Sequence, residues 1–501
     1  MPSVPYSSTT SRVATLLTIV SMVPVLVIYA WLISAGTWTQ WAGHWYAYDQ
    51  LATAFGHGQL ALLTKPDAAL LALSNPYDPI ARQNVPFLRD YSLYQGRYYL
   101  YFGPVPALIL VLAKAITGAS IGDQYITFAS VAGIFIVLSL LIIRIRSIFF
   151  PGSAPWTLMP TLVTIGLMAP WPWLLTTPSI YTAALAAGQF FFLAGILLAW
   201  EALRHAPVSR VRLLAAGLLF AGAFGSRISL IVPGCFVAGV IALSLFLRSR
   251  RPSTPRSTSL QAGVCFATPL VLALAALAWY NWARFGSFME AGFMYQLGGI
   301  FKWKHIGQFV WPGYVGQNFY NYFLNPPIVK YTFPYIFPQQ GVRQSLLAAL
   351  PIPEIYHSQE ITGLIFTAPF LMLALAPILS ITRKAVPVGE DTTELFMGLV
   401  ITLLGCFVIG CAFFFAFFWA AERYLADFLP GLVLLSMIGM WQIDGYLDSM
   451  PRRRAVYWIS LTAIMAACIV LSLLLAISFN TDGFRQLNPL LWRQLSNLFR
   501  P

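Results

Sequence analysis

Asp49 is the carboxylate in this 501-residue sequence best placed for acid–base chemistry, just past the first apolar run in Trp45-Tyr46-Ala47-Tyr48-Asp49-Gln50-Leu51. A positioned carboxylate that takes a proton from a weakly nucleophilic hydroxyl contributes roughly 10²–10⁴-fold to rate. The competing role is an N-cap for the amphipathic helix that follows, which Asp fills well. Arg227 and Arg423 each stand where an apolar run reaches a membrane surface. Their planar guanidinium forks suit the oxygens of a phosphate; either could equally be a snorkelling anchor. A third group lies in Asp90-Tyr91-Ser92-Leu93-Tyr94-Gln95-Gly96-Arg97-Tyr98-Tyr99-Leu100-Tyr101-Phe102-Gly103-Pro104. Asp90, Tyr94, Tyr98 and Tyr101 there could line a groove, since tyrosine faces stack on rings and chains, or form an interfacial belt. Glu290 and Glu422 are further acids on the same face. His44, His57, His305 and His357, with Glu354 and Glu360, have no ligand-like spacing, so no metal site is expected.

The elements that must position these groups are membrane helices. The chain is 58% hydrophobic and 9% charged, with mean hydropathy +0.71, whereas soluble domains carry about 25% charged residues. The formal charge of +13 favours anionic lipid as a partner. No basic block is long enough for a nucleic-acid face. Cys235, Cys265, Cys406, Cys411 and Cys468 all fall in apolar runs, which argues for buried thiols and against a disulfide or CxxC framework. The run Val13 to Ala35 exceeds the ~7–15 apolar residues of a signal peptide and reads as a retained span.

Further spans of about 20 apolar residues are expected over Tyr125 to Ile143, Trp156 to Leu175 and Ile180 to Trp200. Leu213 to Leu247 supplies two, with a bend at Gly225-Ser226-Arg227. Leu260 to Trp279, Ile361 to Ile381, Leu395 to Trp419, Tyr424 to Trp441 and Ala455 to Ile477 complete an all-α polytopic membrane protein of about eleven spans. Val105 to Ile116 is short and holds Lys114, and is expected to be interfacial. The basic groups Arg144/Arg146, Arg204 to Arg212, Arg248 to Arg256, Arg383/Lys384 and Arg452 to Arg454 then share one side, the cytoplasm by the positive-inside rule. The expected organisation is one integral membrane domain over 1–501 with its N-terminus inside. A first extracytoplasmic loop with interfacial helices runs over 36–124, a second large loop over 280–360, and an extracytoplasmic tail over 480–501.

There is no DxD acid pair and no GxxxxGK[ST] phosphate loop, so a nucleotide-activated donor is not indicated. The layout resembles the GT-C membrane glycosyltransferases, and within them a bacterial, largely uncharacterised subgroup. The likeness rests on an early loop aspartate and on patches in order: the Asp90–Pro104 run, Gly225-Ser226-Arg227, Asn281-x-x-Arg284-Phe285-Gly286-Ser287-x-x-Glu290, Tyr295-Gln296-Leu297, Glu360-x-Thr362-Gly363-Leu364 and Glu422-Arg423-Tyr424. That resemblance implies a polyprenyl-phosphate-linked sugar as donor and a glycan, lipid or protein as acceptor. It makes Asp49 the catalytic base and Arg227, Arg423 or Arg97 the groups for the donor phosphate. Gln50 stands where many relatives have a second acid, and Gly103-Pro104-Val105-Pro106 stands where some have Lys-Pro-Pro.

The expected activity is inverting sugar transfer at the outer face of a bacterial inner membrane, by a chemistry that requires no cofactor. A flippase of lipid-linked sugars is the alternative, and would need paired charges in mid-membrane. A non-catalytic envelope-assembly protein is the other, and would leave Asp49 dispensable.

Overall fold

The protein is described from a computed structural model covering residues 8–41, 43, 45–252, 255–344, 352–383 and 390–498. His44 and Lys384 lie outside the described residues. The first helix, α1 (Ser8–Ile33), leads into a long loop with α2 (Ala47–Gly56), α3 (Ala68–Leu71), a hairpin of β1 (Ser92–Tyr94) and β2 (Arg97–Tyr99), and α4 (Val105–Thr117). Then come α5 (Asp123–Phe149), α6 (Leu158–Leu167), α7 (Trp171–Thr176), α8 (Ile180–Leu203), α9 (Arg210–Ser226), α10 (Ile231–Ser249) and α11 (Arg256–Phe285). The second loop holds α12 (Val315–Phe323) and short two-stranded ribbons. The chain ends with α13 (Leu364–Thr367), α14 (Leu375–Arg383), α15 (Glu390–Phe415), α16 (Leu425–Tyr446), α17 (Pro451–Phe479), α18 (Thr481–Leu487) and α19 (Pro489–Leu498).

Among the described residues, eight helices are long and apolar enough to cross a membrane. The remaining three of the eleven expected spans are short or broken. α9 has 17 residues. The run from Trp156 to Leu175 is split between α6 and α7 by Pro170, and the run from Ile361 to Ile381 between α13 and α14 by Pro369. Proline lacks the N–H an α-helix needs and crowds the preceding turn. The bend at Gly225–Arg227 is present: α9 stops at Ser226, a 3-10 turn covers Ile228–Leu230, and α10 begins at Ile231. α4 is a 13-residue helix, too short to span. Its Leu108, Leu112 and Ile116 are uncovered, as an interfacial helix requires.

The centre is α8 and α16, the most enclosed of the spans, with α5, α9 and α15 against them and α11 packed outside on α9. Backbones cross closely where glycine leaves room. A Cβ on Gly217 would meet the Phe266 carbonyl of α11, and one on Gly431 would meet the Leu403 carbonyl of α15. Close approach is how helices associate where lipid gives no hydrophobic drive. The arginine-rich ends gather at one end of the bundle: Glu201 takes Arg144 and Arg204, Glu394 takes Arg248 and Arg251, and Asp444 takes Arg454. Both large loops lie at the other end.

The loop end is held by buried amides. On α12, Asn318 and Asn321 share a face that continues to Asn325, and all three are fully buried. Asn318 Nδ2 donates to the carbonyls of Phe414, Phe415 and Phe417 (2.9–3.1 Å). Asn321 reaches Val342, Tyr356 and Ser358, and Asn325 reaches Gln339 and Ile361. Unpaired buried carbonyls are costly, so this ladder fixes the second loop onto the end of α15. Asn318→Ala is expected to cost about 2–3 kcal/mol and to raise hydrogen exchange in 309–344 and 413–420, measured by mass spectrometry; unchanged exchange there would remove the ladder's role.

Candidate active site

The β1–β2 hairpin turns at Gln95 (φ 47°) and Gly96 (φ 70°), the left-handed pair of a type I′ turn. The strand leading into it pairs with the start of the second loop: Asp90 N donates to the Leu297 carbonyl (3.0 Å), Leu297 N to Tyr91 (2.8 Å) and Leu93 N to Tyr295 (3.0 Å). After β2 the chain passes the end of α9 at Gly103. A Cβ there would run into the Gly225 carbonyl, and one on Gly225 would strike the Val105 side chain. Two glycines thus bring Tyr101–Pro104 against Ser226–Arg227.

The result is a cavity of about 680 Å³, within the ~300–1,000 Å³ of small-molecule sites. Its walls come from Tyr101–Pro104, Tyr181 at the start of α8, Phe224 to Ile231, the end of α11, Phe288–Met294, the end of α15, and Arg423-Tyr424. Four of the patches singled out in the sequence therefore meet at one site. Exposed apolar side chains rim it, among them Ile228, Leu274, Phe288, Met289 and Phe413.

Three guanidinium groups face this space, each satisfied differently. Arg227 forms a two-pronged pair with Asp427, Nε–Oδ1 2.7 Å and Nη2–Oδ2 2.5 Å, and Ser229 also donates to Oδ1. Arg284 is buried; its Nη1 donates to the Leu100 carbonyl (2.7 Å) and its Nη2 to Asn281 Oδ1 (2.9 Å), and it stacks on Tyr280 at 3.7 Å. Arg423 donates from Nη1 to Gln359 Oε1 (2.9 Å) and lies over the rings of Tyr181 and Tyr424. Among the described residues no carboxylate forms a salt bridge with it, and its buried Nε has no hydrogen-bond partner.

Glu290 also lines the cavity and, among the described residues, has no ion-pair partner. Its Oε1 accepts from Gly292 N (2.6 Å) and Met294 N (3.4 Å), which leaves Oε2 for a ligand. Asp90 lies behind the wall, beside Tyr181 and near the Tyr101 hydroxyl. Its backbone is left-handed (φ 68°), a conformation concentrated at functional sites. Burial raises the Tyr101 hydroxyl far above its ordinary range, so it is a neutral donor. Lys302 sits over Phe293 at 4.4 Å and donates to Gln296, which also reaches Asp90. Burial pulls Lys302 down to about 7 against the opposing pull of Asp90 and Glu290.

The sequence-expected residues divide. Arg227, Arg423, Tyr101 and Glu290 line the cavity, and Asp90 borders it. Asp49 does not. Its Oδ1 takes Lys114 Nζ (2.8 Å) and Ile121 N (2.9 Å), and its Oδ2 takes Ser120 Oγ (2.9 Å). Burial alone would raise it, but those three bonds hold it below its ordinary value. It is a strut between α2 and α4 rather than a base at the cavity. It is not the N-cap either; the first N–H groups of α2 donate to Asp123 (3.2 Å each). Arg97 is exposed at the hairpin end. Tyr94 packs on Phe285 and Tyr295, and Tyr98 is a core residue whose hydroxyl accepts from Leu88 N. Glu422 is buried and turned to Thr362 N (3.2 Å). Among the described residues, no group of three His, Cys, Asp or Glu could hold a metal ion. Tyr181 and Gln359 carry no sequence signal, while Asp427 and Lys302 stand out only as ionisable residues near the outer face. Asp427 lies one turn beyond Arg423 in an apolar run.

No protein-family model and no curated protein matches the chain. The crystal structure of the apo oligosaccharyltransferase of Archaeoglobus fulgidus is similar, with TM-score 0.51 and 15% identity over 92% of this chain and 56% of that one. Weaker likenesses are to AglB of the same organism, in complex with an inhibitory peptide and a dolichol-phosphate (TM-score 0.46, 13% identity, 93% and 56% covered), and to ArnT from Cupriavidus metallidurans bound to undecaprenyl phosphate (0.41, 10%, 94% and 77%). The first shows the fold: this is the GT-C architecture that the sequence patches resemble. The chain spans little more than half the length of that archaeal enzyme.

Two outcomes are expected. Asp49→Asn or Lys114→Met should each cost about 1–2 kcal/mol, as when one partner of a half-buried charged hydrogen bond is removed, and the double variant should cost less than the sum; additive losses in melting experiments would break the pair apart. Lys302→Met should raise the melting temperature more at pH 6 than at pH 9. Below about 7 the folded protein buries a charged amine, and between about 7 and the unfolded value near 10.4 the folded state sheds a proton the unfolded chain keeps, so stability rises with pH. Equal shifts at both pH values would count against that placement.

Proposed function

We propose that this chain is an integral membrane glycosyltransferase that moves a sugar from a polyprenyl-phosphate donor to an acceptor hydroxyl, with inversion. The observation that carries the reading is Arg423, a guanidinium without a neutralising carboxylate in a largely apolar cavity rimmed by exposed apolar side chains. A phosphate on an apolar chain matches both halves of that description. The fold likeness to an oligosaccharyltransferase supports sugar transfer as the chemistry.

In this reading the phosphate sits at Arg423, with Arg227 beside it, and the prenyl chain leaves past Leu274 and Phe413. Glu290 takes the proton of the acceptor hydroxyl as that oxygen attacks the anomeric carbon. The bond from that carbon to the phosphate oxygen breaks, and polyprenyl phosphate departs with its charge met by Arg423. Tyr101 and Tyr181 supply hydroxyl donors. Glu290 rather than Asp49 is the base in this reading, because a base must reach the proton it takes and Asp49 does not line the cavity. The arginine-rich end faces the cytoplasm by the positive-inside rule, which puts the cavity on the extracytoplasmic face; the bacterial inner membrane follows from the sequence resemblance. The acceptor would be a glycan, lipid or protein.

Glu290→Gln in lipid nanodiscs should lower transfer of labelled sugar by about 10²–10⁴-fold and leave donor binding within about threefold. Arg423→Leu should weaken donor binding by about 10–100-fold, as expected for a lost charge-assisted contact. A Glu290→Gln enzyme of full activity would remove that residue as the base. Donor binding indifferent to Arg423 would remove the phosphate site.

A further inference from the structure

Arg227 and Arg423 face one cavity but are held by opposite means. Arg227 is gripped by the carboxylate of Asp427. Arg423 is held by the side-chain amide of Gln359, at 2.9 Å. The nearest acid in sequence, Glu422, is turned toward Thr362 N and is not paired with it.

The backbone of Gln359 is unusually well fixed. Its N–H donates to the Ala420 carbonyl (2.9 Å) and its carbonyl accepts from Gly341 N (3.0 Å). It lies between two pairings, His357–Ser358 parallel to Trp419–Ala420 and Glu360–Ile361 antiparallel to Gln339–Gln340. A short rigid strand of the second loop therefore presents one amide oxygen to one guanidinium nitrogen.

Chemistry separates an amide from a carboxylate here. Both accept the hydrogen bond and both aim the guanidinium. Only the carboxylate cancels its charge, and in a site of low dielectric that cancellation removes most of the attraction for a second anion. We propose that Gln359 is the positioning residue of the anion site: as a neutral acceptor on the second loop, it aims Arg423 into the cavity while leaving its charge available to the phosphate of the lipid donor. This rests on the functional reading above and adds to it a residue outside the cavity wall and a requirement on that residue's charge.

Undecaprenyl phosphate and undecaprenol, which lacks the phosphate, test this with the full chain in nanodiscs. Gln359→Glu and Gln359→Leu are compared with the wild type for binding of both lipids and for transfer kinetics. Gln359→Glu keeps the shape and the hydrogen bond, and is expected to weaken undecaprenyl phosphate about 100-fold; Gln359→Leu, which loses orientation alone, about tenfold. Undecaprenol binding should be unchanged in both, and kcat at saturating donor should stay within about threefold, so the loss appears in KM. Wild-type affinity for the phosphate lipid in Gln359→Glu overturns the proposal, as does an equal loss in the two variants or a parallel loss of undecaprenol binding. If the wild type itself fails to distinguish the two lipids, the functional reading falls, whatever the variants do.

Discussion

A guanidinium taken out of water costs several kcal/mol unless its charge and its donors are met, and this cavity holds three. Arg284 meets the requirement with backbone and amide oxygens and a tyrosine face. Its position is set by α11, and it anchors the Leu100 carbonyl just before the cavity-lining Tyr101–Pro104. Arg227 meets it with a carboxylate, and so joins the α9–α10 bend to the first turn of α16. Arg423 meets it only in part, with one amide and two aromatic rings. An incompletely satisfied cation is a poor way to stabilise a fold, and a good way to hold an anion that arrives later.

The site also depends on backbones being allowed to touch. Tyr101–Pro104 can reach the α9–α10 bend because Gly103 and Gly225 carry no Cβ. The same first loop is sewn to 295–297 by strand-like hydrogen bonds, and the second loop to the end of α15 by Asn318. Each cavity wall is thus fastened to an element far away in the chain. Loops of this length would otherwise be mobile, and a site made of mobile pieces could not hold a reacting pair to the ~0.5 Å that such chemistry requires.

The fold was readable where physics acts locally. Long apolar runs became helices, the Gly225–Arg227 interruption became a bend, and Lys114 marked α4 as too polar and too short to cross. Breaks at Pro170 and Pro369 were missed because the runs around them are uniformly apolar, and hydropathy averages over the missing N–H. The patches 90–104, 225–227, 281–290 and 422–424, read from the sequence as marks of a family resemblance, converge on the cavity. Which member of each patch faces the cavity was not readable. Arg97 and Tyr101 stand on one short stretch and end on opposite sides of it. Asp49 misled for a related reason: an acid in the first turn of a surface helix has the same local signature whether it meets a substrate or a lysine 65 residues on.

That lysine explains why a carboxylate is buried there at all. α2 and α4 are short helices that pack on each other through Leu51, Ala52, Ala107 and Leu110. The Asp49–Lys114 pair, reinforced by Ser120 and Ile121, joins them, and Asp123 fastens the N-terminus of α2 to the start of α5. With the first loop tied down by Asp49 and Asp123, the Tyr101–Pro104 segment that follows the hairpin and opens α4 has a fixed origin. The acids of the first loop hold that loop together, and the acid that lines the cavity, Glu290, comes from the second. In the proposed function, proton transfer falls to a group of the second loop and phosphate binding to Arg423 at the turn between α15 and α16, and the bonds that Asn318 and Gln359 make to that turn keep the two in register.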